Sequence, residues 1–224
     1  MHSDLRRAIL LSVVVLLISA CVEPEDRKAD SANLRDPWAV AAEPSDPIRA
    51  AGKQVFVSCA SCHLADGSGR ADGTIPRLAG QAAAILEGRL RGLQDGSIDL
   101  PVMTPFARAL TDKEIWQVSL YLSSLPKPKQ TRYGSKTQSA HAAALYAGLC
   151  ASCHAQDALG QAALNAPRLC GQHEAYLLRR LNEMASTAPT NARAADPAMA
   201  AIATSLPSED RRAVANHLAR LECD

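Results

Sequence analysis

Two cysteines and a histidine at fixed spacing occur twice in the chain, as Cys59-Ala-Ser-Cys62-His63 and Cys150-Ala-Ser-Cys153-His154. Two thiols separated by two residues can add as thioethers to the vinyl groups of a porphyrin, with the adjacent histidine under the iron. This is the attachment pattern of c-type haem. The spacing of the cysteines also suits a redox dithiol or half of a zinc site. Neither alternative uses a histidine directly after each pair, so the pattern favours two covalent haem c groups.

The two motifs belong to a longer internal repeat. At the same offset of 91 residues, a glycine, a Pro-Arg-Leu triplet and a Gly-Gln pair recur in order. The matching positions are Gly69 and Gly160, Pro76-Arg77-Leu78 and Pro167-Arg168-Leu169, and Gly80-Gln81 and Gly171-Gln172. Matches in one register indicate a duplicated domain of roughly 80–90 residues, and two copies are too few for a solenoid. We expect a first domain over 46–126 and a second over 139–224.

A methionine precedes the last predicted helix of each copy, at Met103 and Met199. A lone methionine is usually a packing residue, as we expect for Met184. Two methionines at matching positions favour iron ligation opposite His63 and His154. A thioether ligand raises the reduction potential of the iron. Because an iron with two protein ligands leaves no position for a substrate, the pattern favours an electron carrier without catalytic residues over an enzyme.

Helices must position these groups. Thr111-Asp-Lys-Glu114 has the form of a capping box, and apolar residues at helical spacing follow it from Ile115 to Leu125. Amphipathic helices are expected over about 82–93 and 174–184, and a short helix before each Cys-x-x-Cys-His motif. Neither copy contains the alternation typical of a strand. The predicted fold class is all-α, with two tandem domains that each surround one haem.

The N-terminus has the pattern of an export signal. Arg6 and Arg7 precede an apolar stretch over 8–18, which is too short to span a membrane. The stretch ends in Ile18-Ser-Ala-Cys21, which resembles a bacterial lipobox with Cys21 as the lipidated residue. An ordinary cleaved signal nearby and an uncleaved anchor are the alternatives. We expect a signal peptide over 1–20, a flexible tether over 21–45, and a protein anchored by lipid on the periplasmic side of a bacterial membrane.

Composition limits the classes of partner. The formal net charge is +1, from 24 Lys and Arg against 23 Asp and Glu, which argues against a nucleic-acid binder. Hydrophobic residues make up 47% of the chain and aromatic residues only 4%, so two porphyrins would supply apolar surface that each small core lacks. Residues 127–138 form a basic linker between the copies.

Together, these motifs make the chain resemble the dihaem cytochrome c4 family over residues 46–224. The resemblance implies two class I cytochrome c domains related by a pseudo-twofold axis, with the haem propionate edges between them. It implies that Pro76 and Pro167 orient the proximal histidines through their backbone carbonyls. It also implies transfer of single electrons from a redox protein such as the cytochrome bc1 complex to a terminal oxidase or reductase, without a small-molecule substrate.

Two other functions fit the same motifs. A cytochrome subunit of a dehydrogenase complex would have the same haem residues. A dihaem enzyme would need one labile haem ligand, and the chain lacks the insertions that such enzymes usually add around a catalytic haem.

Cys170 and Cys223 remain after four cysteines are assigned to haem and one to lipid. A disulfide between them is the simplest hypothesis in an oxidising compartment. Unpaired buried thiols, or Cys170 as a thiolate ligand, are the alternatives. Among the other residues, we expect His173 on the surface, Trp116 in the core, and His217 packed or on the surface rather than ligating.

Overall fold

The computed structural model describes residues 46–126, 139–186, 196–221 and 223, which all lie within one compact unit, Pro37–Asp224. The expected signal peptide, Cys21, the tether and the basic linker therefore lie outside the described residues. No helix in the described part is long and apolar enough to cross a membrane.

The described residues are helical, and their only β-type pairing is an isolated bridge between Gln161 and Ala166. The helices of the first half are α1 (Asp46–His63), α2 (Ala83–Asp95), α3 (Thr104–Arg108) and α4 (Asp112–Ser124). Those of the second half are α5 (Ala140–Leu149), α6 (Ala151–His154), α7 (Glu174–Ala185), α8 (Pro197–Ser205) and α9 (Ser208–Arg220), with a 3-10 turn at Ala162–Leu164. The prediction of an all-α fold is confirmed.

In the first half, α4 packs against both α1 and α2. Phe56, Val118 and Tyr121 form the centre of this core. The α1 and α4 backbones approach so closely at Gly52 that a Cβ atom there would overlap the backbone oxygen of Gln117. This close approach fixes the helix that ends in the first Cys-x-x-Cys-His motif.

The second half repeats this arrangement with α9 packed against α5 and α7. Tyr146, Leu177, Val214 and Leu218 are buried in its core. Here the helix is interrupted at Cys150, so that α5 ends just before the motif and α6 contains the rest of it. The first motif, by contrast, ends one continuous helix.

The helix start predicted at Thr111 is confirmed. The Thr111 side chain accepts from the Glu114 amide, and the Glu114 carboxylate accepts from the Thr111 amide, which completes the capping box. The corresponding helix α9 follows Pro207, which makes no side-chain cap. The expectation that Trp116 lies in the core is wrong: 41% of its surface is exposed, because other residues, such as Ile115 and Val118, form the buried face of α4.

Candidate functional site

The first half contains a cavity of about 410 Å³ between its helices. Cys59, Cys62, His63 and Met103 all line it, together with apolar side chains of α1, α2 and α4. Its volume and apolar lining are typical of a cofactor site. The structure therefore brings together the four side chains that the sequence assigns to the first haem.

The two motif histidines have the same backbone partner in each half. The Nδ1 atom of His63 lies 3.1 Å from the carbonyl oxygen of Pro76, and that of His154 lies 2.8 Å from Pro167. Because a carbonyl oxygen only accepts, Nδ1 must donate the proton, and Nε2 keeps a lone pair. Burial lowers the pKa of both histidines. Both rings are thus neutral imidazoles in the tautomer that suits an iron ligand.

Glycines at Gly69 and Gly160 allow the Pro-containing loop to fold back on each histidine. Their backbone amides donate to the carbonyls of His63 and His154, each at 3.0 Å, and their φ values are +67° and +82°. A Cβ atom at Gly69 would lie 2.5 Å from the Pro76 carbonyl oxygen. Both glycines therefore adopt a left-handed backbone conformation and let the Pro-containing loop approach closely, and other residues disfavour both.

The four motif cysteines are unpaired with one another. Burial raises the pKa of the Cys59 thiol, and it raises that of Cys150 to about 11. A redox dithiol depends instead on a thiolate of lowered pKa. The described part of the chain also holds no cluster of three or more His, Cys, Asp or Glu side chains suited to a metal ion.

The two predicted methionine ligands have different local settings. Met103 immediately precedes α3 and packs against Leu93, Ile98 and Ala107 while lining the cavity. Met199 is half-buried and lies within the first turn of α8, a helix that packs on α7.

Side chains of the second half also line the cavity in the first half. Tyr176, Arg179 and Glu183 on α7 line it, and Arg179 donates a hydrogen bond of 2.8 Å to the Gly73 carbonyl. His173, expected on the surface, is instead buried, with Nε2 located 2.8 Å from the Ser68 carbonyl oxygen. The repeat alone could not reveal these contacts, because they form between its copies.

Two arginines, each directly after a proline that orients a motif histidine, indicate whether haem fits beside these histidines. Arg77 and Arg168 each have one buried guanidinium nitrogen without a hydrogen-bond partner among the described residues. Burial, with a smaller effect of Arg77, lowers the pKa of Arg168 to about 10, so it remains protonated at neutral pH. A buried guanidinium N–H without a hydrogen-bond partner is costly. The haem carboxylates are groups of the right charge to pair with them, so the residues present fit the group.

Cys170 and Cys223 are joined in a disulfide, with Cα atoms 5.8 Å apart. This arrangement fits the pairing expected from the sequence and leaves no thiolate on Cys170. His217 is buried, with its ring centroid 6.0 Å from that of Tyr146, which fits a packing role.

A duplicated helical fold with these two histidine sites defines the class of the protein: a two-domain c-type cytochrome. A family model described as cytochrome c matches residues 49–126 and 139–222. The chain belongs to the cytochrome c family, and it carries two covalent haem c groups.

Relatives define the subgroup. The chain is 30% identical over 177 residues to a thiosulfate dehydrogenase electron acceptor of Stutzerimonas stutzeri, covering 74% of this chain and 79% of the relative. It is 27% identical over 177 residues to cytochrome c4 of Pseudomonas aeruginosa, covering 75% and 86%. The structure of reduced cytochrome c4 from Pseudomonas stutzeri superposes with a TM-score of 0.68 at 26% identity, over 78% and 98% of the two chains. The chain is thus similar to dihaem cytochromes c4, and it is an electron carrier.

Proposed function

We propose that this protein relays single electrons between redox proteins on the periplasmic side of a bacterial membrane. The observation that supports this most directly is that His63 and Met103 line one cavity. Two protein ligands on one iron leave no coordination position for a substrate. The proposed donor is a respiratory complex such as cytochrome bc1, and the proposed acceptor is a terminal oxidase or reductase.

In this proposal, Cys59 and Cys62 hold the first haem, with His63 and Met103 as its iron ligands. When bound, each haem supplies a ferric/ferrous couple that gains and loses one electron without making or breaking a bond. Pro76 keeps the His63 ring oriented through its carbonyl. The apolar cavity wall excludes water and, with the methionine sulfur, favours the ferrous state.

The second haem is assigned by the internal repeat. Cys150 and Cys153 would attach it, His154 and Met199 would ligate its iron, and Pro167 would orient His154 through the hydrogen bond described above. Two carriers in one chain allow an electron to enter at one domain and leave from the other.

The location of the protein is proposed from its sequence. The lipobox-like segment ending at Cys21 would place two or more acyl chains at one residue, and a membrane anchor of that kind needs more than one chain to be stable. Mass spectrometry of the protein from its native membrane would test this. A lipid adduct on Cys21 is expected, and a mature N-terminus at another residue would contradict it.

The optical spectrum of the oxidised holoprotein tests the carrier function. A weak charge-transfer band from methionine sulfur to ferric iron is expected at two equivalents per chain. One equivalent or fewer would mean that a haem has another ligand or an open position. An open position would replace the carrier function with a catalytic role, whereas another protein ligand would leave the carrier function in place.

A second candidate function is supported by one relative. Because the Stutzerimonas stutzeri relative is a thiosulfate dehydrogenase electron acceptor, this chain is also a candidate acceptor for such a dehydrogenase. Mixing the oxidised protein with a thiosulfate dehydrogenase and thiosulfate should then reduce both haems at a rate that rises with enzyme concentration. Reduction by ascorbate but not by the enzyme with thiosulfate would exclude this role and leave the respiratory one.

A further inference from the structure

Two glutamines connect the halves of the chain in a crossed arrangement. The Gln172 side-chain oxygen accepts from the backbone N–H of Arg77, and its Nε2 donates to the Arg77 carbonyl, both at 3.0 Å. In the other direction, the Gln81 oxygen accepts from the N–H of Arg168 at 3.0 Å, and its Nε2 donates to the Arg168 carbonyl at 3.1 Å. Each half therefore holds one backbone segment of the other.

The contacted N–H groups belong to the peptide bonds that orient the motif histidines. The N–H of Arg77 and the C=O of Pro76 are the two ends of a single peptide group, and the Pro76 oxygen accepts from His63. The N–H of Arg168 and the C=O of Pro167 form the equivalent group beside His154. A continuous hydrogen-bonded chain thus runs from each glutamine through one peptide bond to the histidine of the other half.

Hydrogen bonds in such a chain strengthen one another. When the N–H of a peptide group donates a hydrogen bond, the carbonyl oxygen of the same peptide becomes more negative. The hydrogen bond that this oxygen accepts is then stronger by roughly 10–30%. A stronger acceptor at Nδ1–H makes the opposite ring nitrogen a better electron donor to a metal. Better donation stabilises ferric iron and lowers the reduction potential.

Burial makes this polarisation effective. Gln81 and Gln172 are only 9% and 8% exposed, so water does not compete for their amide groups. Each side-chain oxygen also accepts from the next backbone N–H, from Ala82 at 3.1 Å and from His173 at 2.9 Å. These local bonds orient each amide with its oxygen toward the N–H donors and its nitrogen toward the carbonyl, which fits all its partners.

We propose that Gln81 and Gln172 are crossed positioning residues, each of which adjusts the iron-ligating histidine of the other domain. This inference rests on the proposed function, because it takes His63 and His154 as the iron ligands. It gives the domain interface a role in setting both potentials: Gln172 lowers the potential of the first haem, and Gln81 lowers that of the second. Separation of the domains would raise both.

The test compares Gln172→Leu and Gln81→Leu in the holoprotein by redox titration, with each haem assigned by NMR. Gln172→Leu should increase the reduction equilibrium constant of the first haem two- to threefold, roughly 20–30 mV at about 59 mV per tenfold change for one electron. The potential of the second haem should not change. Gln81→Leu should give the reverse pattern, so each variant is the matched control of the other.

NMR of the diamagnetic, reduced protein provides a second readout. The Nδ1–H resonance of His63 should move upfield in Gln172→Leu while that of His154 stays fixed, and the opposite should occur in Gln81→Leu. In the wild-type protein, scalar coupling across the hydrogen bond between the Arg77 amide nitrogen and the Gln172 side-chain carbonyl carbon should be detectable. This last measurement needs no variant to fold.

The outcomes separate the inference from the function on which it rests. The crossed assignment would be overturned if the reduction potential changed only in the glutamine's own half, if both haems changed equally, or if neither changed. Absence of the scalar coupling in the wild-type protein would overturn it too. Two bound haems with two methionine bands would still support the carrier function in those cases. A wild-type protein without histidine- and methionine-ligated haems would instead overturn the proposed function.

Discussion

His173 contacts Ser68 across the interface between the two halves, with its Nε2 atom 2.8 Å from the Ser68 carbonyl oxygen. Because a carbonyl oxygen only accepts, Nε2 must be protonated. Burial lowers the pKa of the ring from 6.5, and nearby Arg77 lowers it further, whereas the Ser68 hydrogen bond and Asp72 act in the opposite direction. The folded state therefore favours the neutral ring more than the unfolded chain does.

A pH dependence of stability follows from this histidine. As the pH falls below 6.5, the unfolded chain takes up the proton first, and the free energy of unfolding decreases until the pH reaches the lower folded pKa. Above 6.5 the contribution of His173 is fully present. Urea unfolding of the holoprotein between about pH 8 and about pH 5 should show this loss.

The matched variant is His173→Gln, whose amide can still donate to Ser68 but does not titrate. It should lose less stability on acidification than the wild type does. Equal losses in the two proteins would show that His173 does not contribute to the pH dependence.

The glycines beside the two histidines should tolerate no side chain. Gly69→Ala and Gly160→Ala would each combine a left-handed backbone with overlap of the Pro-containing loop, at a cost of at least about 2 kcal/mol in unfolding free energy. Because that loop orients the histidine, each variant should also disturb the spectrum of the haem in its own half.

Two other glycines provide controls for this prediction. Gly88 and Gly148 lie in α2 and α5, and a Cβ atom at either would meet no atom within 4 Å. Alanine at these positions should stabilise the protein by about 0.5–1 kcal/mol. Thermal unfolding of all four variants checks the contrast, which would fail if Gly69→Ala were as stable as Gly88→Ala.

The disulfide should stabilise the second half. Cys170 and Cys223 are separated by 53 residues, so the bond limits the freedom of a long loop in the unfolded chain and contributes about 2–4 kcal/mol. The double variant Cys170→Ala/Cys223→Ala should unfold at a correspondingly lower urea concentration. Alanine is the natural choice at Cys170, since Ala79 occupies the equivalent position in the first half.

A chemical measurement must accompany the stability measurement. Alkylation of the unreduced, unfolded protein followed by mass spectrometry should modify neither Cys170 nor Cys223. Modification of both would show that the thiols are free, and the loss of stability in the double variant would then need another cause.

Local signals predicted much of the fold. The capping box at Thr111 was predictable because its two hydrogen bonds join residues three apart. The repeat likewise placed the equivalent helices and histidines. Trp116 was assigned wrongly because helical spacing does not show which part of a face a neighbouring element leaves uncovered. His173 was assigned wrongly because its partner, Ser68, lies in the other copy.

The role of the glutamines needed the structure. Gln81 and Gln172 were visible as repeated residues, but their partners lie in the opposite copy, 95 residues away in the case of Gln172 and Arg77. The recurrence of a glutamine at the same position in both copies was the available signal. It could indicate a buried hydrogen bond, but not which half supplied the partner.

The methionine ligands provide the sharpest test of the site. Met103→Leu and Met199→Leu keep apolar volume but remove the sulfur, so each should abolish one of the two charge-transfer equivalents in the oxidised protein. Loss of the thioether should also lower the potential of that haem and let its ferrous form bind carbon monoxide. Met184→Leu is the matched control, because Met184 is a half-buried residue of α7 that the site does not use.

The three variants together decide the assignment for each domain separately. Loss of one equivalent in each of the first two, with both retained in Met184→Leu, is the expected pattern. Retention of both equivalents in Met199→Leu would show that another methionine ligates the second iron. A single equivalent in the wild type, unchanged in Met199→Leu, would instead indicate a nitrogen ligand there, and His217 would be the next candidate because it is buried with its Nδ1 unpaired among the described side chains. Retention of both equivalents in Met103→Leu would show that the first iron has a different methionine ligand, although Met103 shares the cavity with His63.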